Sequence, residues 1–81
     1  MNLIVLTPGK EIFHGAIKSV KVPGISGQFE ILKDHAAIVS ALGQGEVRII
    51  PESGQTETFS IEKGFVEVLN NEVSLLVQGV S

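Results

Sequence analysis

The sequence predicts an all-β fold, a single flattened β-sandwich of about eight to ten short strands. Short runs of alternating apolar and polar residues recur along the chain, and clusters of glycine, proline, asparagine or serine interrupt them at roughly eight- to twelve-residue intervals. No segment shows sustained helical periodicity or a capping box. The 81 residues suffice for one domain, residues 1–81, of a size that buries about 60 to 65% of the surface that the unfolded chain exposes.

The first two strands are predicted on either side of a proline-glycine turn. Residues 3–6 are apolar, and the Thr-Pro-Gly that follows combines a proline with fixed φ and a glycine that tolerates positive φ. The second strand is predicted over residues 11–22, in which Val20 alternates with polar neighbours. Ile17 lies in the opposite phase to Val20, which predicts a bulge or a break into two strands near Lys18.

The stretch 27–39 joins two predicted strands through a short polar turn. Phe29 and Ile31 alternate with polar residues, so the first of these strands has one apolar face. The alternation ends at Leu32, directly before a turn that holds a lysine, an aspartate and His35. An apolar side chain beside a charged turn indicates either a buried strand end or an exposed contact tip.

Residues 36–42 could form either a two-turn helix or a buried strand. We favour a strand because Ile38 and Val39 are β-branched and lose rotamer freedom in a helix, and because a Gly-Gln-Gly turn ends the run. Further strands are predicted around residues 47–49, 58–62, 64–69 and 73–77, with a polar turn at 51–55 and a tight hairpin at Asn70-Asn71.

The composition excludes several classes of protein. There is no cysteine, so neither a disulfide framework nor a thiolate metal site supplements the core, and we expect an intracellular protein. The net charge is −3 and the basic residues are scattered, which argues against nucleic acid as a partner. No apolar run approaches the ~20 residues that span a bilayer, so any membrane contact is expected through another protein.

Patterns typical of catalytic and metal sites are sparse. His14 and His35 are the only histidines and show no HxH or HExxH spacing, so the sequence predicts no metal site. We expect His14 to face solvent or a partner, and the ring nitrogens of His35 to bond backbone groups of its turn. Asp34, His35 and Ser40 could in principle form a nucleophilic site, but nothing in an alternating strand places that hydroxyl against the imidazole. We therefore predict no catalytic, cofactor-binding or metal-binding residue.

An interaction role remains as the main functional expectation. Small β-sandwiches in assemblies bind partners through one apolar face and through loop tips. Ile25 lies in a glycine-rich turn and is costly to leave in water. Its burial by a partner would contribute about 1.5 to 3 kcal/mol.

Several motifs occur together in a characteristic order. An apolar strand leads into Thr7-Pro8, and IKSVKVPGISGQFEIL (17–32), DHAAIVSAL (34–42) and GFVEV (64–68) follow. In order and spacing these motifs resemble the epsilon subunit of the F-type ATP synthase, and the resemblance covers the whole chain as the N-terminal β-sandwich domain of that subunit. It implies a non-catalytic rotor subunit of the central stalk of a proton-translocating ATP synthase. Such a subunit links the gamma subunit to the membrane c-ring and helps couple proton flow to ATP synthesis.

The resemblance also implies which residues contact each partner. The positions that match a gamma-facing surface are Thr7, His35 and Ser40. The positions that match a c-ring-facing surface are Ser26, Gly27, Gln28, Leu32, Lys33 and Asp34. By the same resemblance, the protein is expected to be a peripheral membrane protein on the cytoplasmic face of a bacterial inner (plasma) membrane, touching the membrane only through the c-ring.

The chain departs from the family pattern in two places. Family members commonly have His-Ala-Pro where this chain has His35-Ala36-Ala37, and a small residue or proline where it has Asp34. Full-length relatives continue after the closing strand into a two-helix hairpin that can bind nucleotide and inhibit hydrolysis, whereas this chain ends at Ser81 as either a naturally short or a truncated form. We therefore expect no nucleotide or other cofactor to bind, and no inhibition by a hairpin.

Two other classes compete with this interpretation. Biotinyl and lipoyl carrier domains are also small, cysteine-free and all-β, and they display a modified lysine on a tight turn. Lys33 is the only candidate for that role, but it lacks the flanking residues that such carriers usually have. A free-standing ligand-binding sandwich is the third class, and no polar cluster in the sequence favours it.

Overall fold

Eight β-strands and their connections make up the computed structural model, which describes all residues from Met1 to Ser81. The all-β prediction and the predicted strand count are confirmed. No helix is present that could cross a bilayer. The strands are β1 (Asn2–Thr7), β2 (Lys10–Gly24), β3 (Gly27–Leu32), β4 (Ile38–Leu42), β5 (Gly45–Pro51), β6 (Glu57–Ile61), β7 (Lys63–Leu69) and β8 (Glu72–Gln78).

The strands form two layers that share β2. The first half of β2 pairs with β1, and β1 continues through β8 and β7 to β4, so these five strand segments make the first sheet. The second half of β2 lies between β3 and β5, and β6 follows β5, which makes the second sheet. All pairings are antiparallel except β1 with β8. The two layers meet again where Gly24 of β2 pairs with Leu42 of β4.

β2 passes from one sheet to the other through a bulge. Its register against β5 shifts between Ile17 and Ser19, which confirms the predicted bulge near Lys18. The alternative of two separate strands is wrong, since β2 is continuous over 15 residues. Residues three positions apart point to opposite faces of a regular strand. The extra residue of the bulge brings both Ile17 and Val20 to the inner face, where they are 1% and 0% exposed.

The core lies between the two sheets and is entirely aliphatic. Alternate residues of each strand point inward, and 15 of them form one buried cluster. Full burial of a valine, leucine or isoleucine contributes about 1.5 to 3 kcal/mol each, so this cluster dominates the stability of the domain. The first sheet contributes Leu3, Val5, Leu42, Val66, Val68, Val73, Leu75 and Val77, and the second contributes Ile17, Val20, Val22, Ile31, Val47, Ile49 and Ile61.

The ambiguous stretch 36–42 is a strand, as favoured from the sequence. β4 begins at Ile38 and pairs along its whole length with β7. The hairpin between β7 and β8 turns at Asn70 and Asn71, whose φ angles are 50° and 63°. Two consecutive residues with positive φ are what a two-residue type I′ turn requires, and asparagine tolerates that region. The predicted polar turn at 51–55 begins one residue later, because Pro51 still belongs to β5.

Candidate interaction surfaces

The outer face of the first sheet carries a row of apolar side chains. In β7, Val66 and Val68 point into the core, so Phe65 points outward. Phe65 lies directly opposite Leu76 of β8 on one side and Ala41 of β4 on the other. Residues opposite each other in a ladder share a face, so these side chains form a line across the sheet. Phe65 is 57% exposed and Leu76 is 51% exposed.

Two further residues extend this line at its ends. Leu6 of β1 lies beside Leu76 in the parallel β1–β8 ladder. Ile25, in the β2–β3 turn, donates its backbone N–H to the carbonyl of Ala41 at 3.2 Å and leaves its side chain 71% exposed. The prediction that Ile25 needs a cover is consistent with this exposure. We call Leu6, Ile25, Ala41, Phe65 and Leu76 the apolar row.

The apolar row lines a shallow depression of about 680 Å³. Thr7, Lys63 and Gln78 stand at its border and supply polar groups. The next line of cross-strand partners on the same face is mixed, with Ser74 and Glu67 between apolar neighbours. An apolar centre with a polar border on an otherwise solvated sheet face is the anatomy of a protein interface. In the sequence this surface leaves only one signal, the pairs of adjacent apolar residues that interrupt the alternation in β7 and β8.

The six residues predicted to face a c-ring form two separate tips. Ser26, Gly27 and Gln28 belong to the β2–β3 hairpin, where Gly27 has a φ of 130° and pairs with Gly24. This hairpin is the first tip. All six residues are exposed. The second tip consists of Leu32, the last residue of β3, and of Lys33 and Asp34, which follow it.

The edge strand β3 connects the two tips. Gln28 and Leu32 are four residues apart, which separates them by about 13 Å in an extended strand. Gln28, Glu30 and Leu32 point to the same side of β3, and all three are exposed. A partner large enough to reach both tips would therefore lie along this side of the strand.

The second tip is held by side-chain hydrogen bonds from a distant part of the chain. Asp34, with a φ of 66°, donates its backbone N–H to Asn71 Oδ1 at 2.7 Å. Asn71 Nδ2–H donates in return to Asp34 Oδ1 at 3.0 Å. His35 donates its backbone N–H to the carbonyl of Leu32 at 3.1 Å, which closes the turn. The sequence shows no signal for the Asn71 contact, because the partners are 37 positions apart.

The structure does not bring together the three residues predicted to face a gamma subunit. Thr7 lies at the end of β1, and its hydroxyl donates to the carbonyl of Lys10 at 3.3 Å. His35 lies near the opposite end of the first sheet, next to the β7–β8 hairpin. The length of β1 puts about 17 Å between these two ends. Ser40 lies between them on β4, opposite the buried Val66, and is half-buried on the inner side of this edge strand.

The polar groups that a hydrolase would use are engaged elsewhere. His35 Nδ1–H donates to the carbonyl of Ala36 at 2.8 Å, so one ring nitrogen bonds the backbone as predicted. The hydroxyl of Ser40 donates to the carbonyl of Ala41 at 3.5 Å, and the Asp34 carboxylate accepts from Asn71. No group of three or more histidine, aspartate and glutamate side chains is placed to hold a metal ion. His14 is exposed on β2, and Lys33 is exposed in its turn.

An apolar row on one sheet face and two tips at opposite ends of an edge strand define a protein-binding sandwich. The family comparison makes this class specific. Residues 1–81 match the family described as the ATP synthase delta/epsilon chain, β-sandwich domain, and the chain belongs to this family. We conclude that this chain is not a catalytic subunit. The match over the whole chain leaves the carrier-domain alternative without support.

The most similar curated relatives include several bacterial ATP synthase epsilon chains. The chain is 43% identical over 80 residues to that of Chlorobaculum tepidum, and 42% identical over 80 residues to that of Chlorobium limicola. In both cases the alignment covers 99% of this chain and 91% of the relative. The epsilon chain of Protochlamydia amoebophila is 36% identical over 78 residues, which cover 96% of this chain but only 53% of the relative.

Solved structures share the fold at low sequence identity. A chain in the central stalk and c-ring structure of the Tetrahymena thermophila mitochondrial ATP synthase superposes with a TM-score of 0.85 at 21% identity, covering 99% of this chain and 64% of that one. A chain of the Euglena gracilis mitochondrial ATP synthase superposes with a TM-score of 0.84 at 19% identity, covering 98% and 51%. At these identities the superposition shows the common sandwich fold.

Proposed function

We propose that this chain is a non-catalytic rotor subunit in the central stalk of a proton-translocating ATP synthase. It links the gamma subunit to the c-ring and helps couple proton flow to ATP synthesis. The observation that carries the proposal is the pairing of an exposed apolar row with two exposed polar tips on one stiff sandwich of this family. The names of the relatives, and the central stalk and c-ring to which one structural neighbour belongs, support it.

The gamma subunit is proposed to pack against the apolar row. Apolar side chains at a half-exposed sheet face gain free energy when a rigid partner covers them. Thr7 borders the row, so a gamma contact at this residue follows from the same placement. Ser40 and His35 lie on and before β4, the strand that ends the first sheet, and a partner that reaches around this edge would meet both. Of the predicted gamma-facing residues, Thr7 therefore borders the row, whereas Ser40 and His35 lie at the β4 edge of the sheet.

The c-ring is proposed to contact the two tips. Ser26, Gly27 and Gln28 are small or polar, which suits a contact with the polar loops of a membrane-embedded ring. Lys33 and Asp34 supply one charge of each sign at the second tip, directly after Leu32, the last residue of β3. In this arrangement the chain stays outside the bilayer, as a peripheral protein on the cytoplasmic face of a bacterial inner membrane. It needs no cofactor for this role.

The experiment that tests the proposal separates the two contacts. The chain is co-expressed with the gamma subunit of the same organism, and the complex is purified and then incubated with the detergent-solubilised c-ring. We expect a one-to-one complex with gamma that retains the ring. Leu76→Ser in the apolar row is expected to release gamma, whereas Lys33→Ala at the second tip is expected to weaken ring retention and leave gamma bound. Failure of the unaltered chain to form any complex with gamma would refute the proposal.

A further inference from the structure

We propose that Asn71 is a positioning residue for the second tip, and that it holds Lys33 and Asp34 in the geometry that meets the c-ring. The identity of the partner rests on the function proposed above. The positioning itself rests on the pair of hydrogen bonds between Asn71 and Asp34, which we call the clasp. Neither the family resemblance nor the comparisons assign a role to this asparagine.

The two bonds of the clasp are the only side-chain hydrogen bonds in the protein that join residues distant in sequence. Five hydrogen bonds involve a side chain, and the other three span no more than three positions of sequence. The two bonds of the clasp span 37 positions and are reciprocal, with each residue both donating and accepting. Two bonds between the same two residues fix an orientation as well as a distance, which a single bond does not.

Asn71 is fixed by the β7–β8 hairpin, whereas the part of the second tip beyond β3, Lys33 and Asp34, is fixed mainly by Asn71. The backbone around Asn71 is closed by the β7–β8 ladder, in which Leu69 pairs with Glu72. Its carbonyl also accepts from the N–H of Asn2 at 2.9 Å, at the start of β1. In the second tip, Leu32 pairs with Ser19 in the β2–β3 ladder, and outside the ladders the turn is closed by the bond from the His35 N–H to the Leu32 carbonyl. The geometry is therefore imposed by the hairpin on the tip.

The conformation of Asp34 depends on the clasp. A φ of 66° is unfavourable for a residue with a side chain, although aspartate tolerates it better than most. In this conformation the N–H of Asp34 points at the Asn71 carboxamide, so the bond compensates for the strain. Without the bond, an extended backbone conformation of Asp34 has the lower free energy, and the direction of the Lys33 side chain changes with it.

The clasp also links the two sheets at the tip. Asp34 follows β3 of the second sheet, and Asn71 lies in the turn that joins β7 and β8 of the first sheet, which carries the apolar row. A force applied to the second tip is thus passed to β7 and β8 directly, and not only through the edge strand β3. A pre-ordered tip also loses less conformational freedom when it docks, which strengthens binding.

The test compares two glycine substitutions in the same hairpin. Asn71→Gly removes the carboxamide and keeps a backbone that accepts positive φ. Asn70→Gly is the matched control, because Asn70 has a φ of 50° in the same turn but takes no part in any side-chain hydrogen bond. Each full-length variant is examined alone by amide hydrogen exchange and ¹⁵N relaxation, and then for affinity to the solubilised c-ring in complex with gamma.

Asn71→Gly is expected to speed exchange of the Asp34 amide by roughly tenfold and to increase the mobility of Lys33. It should weaken ring affinity by roughly three- to tenfold and leave gamma affinity unchanged. Asn70→Gly should change neither the mobility of the second tip nor the affinity for the ring. An unchanged Asp34 amide, an equal effect of both substitutions, or a mobile tip with full ring affinity would each overturn the positioning role.

The ring-binding measurements on the unaltered chain and on Asn71→Gly show whether the positioning role fails alone or together with the proposed function. If the unaltered chain binds gamma and the ring but Asn71→Gly binds the ring equally well, the positioning role alone fails. If the unaltered chain binds no ring, the proposed function fails and takes the positioning role with it, whatever the exchange data show. Faster Asp34 exchange together with weaker ring binding, in Asn71→Gly only, supports both.

Discussion

Replacement of Phe65 by serine tests the apolar row directly. A whole phenylalanine side chain offers about 200 Å² of surface, and 57% of this residue is exposed. A partner that covers the exposed part removes about 115 Å² from water, which is worth about 3 kcal/mol at ~25 cal/mol per Å². Phe65→Ser is therefore expected to weaken binding to the gamma subunit by roughly 100-fold. The melting temperature should change little, because the side chain is mostly outside the core.

The matched control for this substitution lies two residues further along the same strand. Glu67 points to the same outer face of β7 but lies in the next, mixed line of residues. Glu67→Ser also introduces a serine on the outer face of β7, and it should alter the affinity for gamma by no more than about threefold. Titration calorimetry with purified gamma measures both. If Phe65→Ser binds gamma as tightly as the unaltered chain does, the apolar row is not the gamma surface.

Three further predictions concern stability and chemistry. Gly64→Ala should lower the melting temperature by ~5 °C or more, because a Cβ at Gly64 would collide with the carbonyl oxygen of Leu76. Gly43→Ala, where a Cβ meets no atom within 4 Å, is the control, and equal melting by circular dichroism would contradict the packing argument. Lys33 should stay unmodified after co-expression with a biotin or lipoyl ligase. An increase in the intact mass by that of one biotinyl or lipoyl group would instead support a carrier domain. Calorimetry with ATP should show no binding, whereas a micromolar affinity would disprove the expectation.

The strands could be predicted from the sequence because their signals are local. The alternation around Val20, the phase reversal at Ile17 and the paired asparagines at 70 and 71 each lie within a few residues, and each predicted the feature that the structure shows. Strand pairing is not local. Nothing in β1 indicates that it lies parallel to β8, since the two strands come from opposite ends of the chain.

The interaction surfaces were predictable only in part, for the same reason. The six residues of the two tips were named from the family resemblance, each in or beside a turn that the sequence marks, and the structure leaves all six exposed. The apolar row assembles one or two residues from each of several strands, so it exists only once the ladders are in register. Individual residues such as Phe65 and Leu76 are ordinary strand residues in the sequence. The clasp of Asn71 depends on a meeting of two turns that are distant in sequence.

The layout of β2 explains how one small sandwich could serve two partners at once. Its first half belongs to the sheet that carries the apolar row, and its second half pairs with β3, which carries the two tips. A load applied at the tips therefore reaches the first sheet through one continuous strand and its backbone hydrogen bonds, without crossing a flexible loop. The path contains two register shifts, one between Val5 and Leu6 in the β1–β2 ladder and one at the bulge between Ile17 and Ser19. Because Ile17 and Val20 are buried on both sides of it, the bulge is clamped by the core, and the clasp at Asn71 braces the far end of the same path.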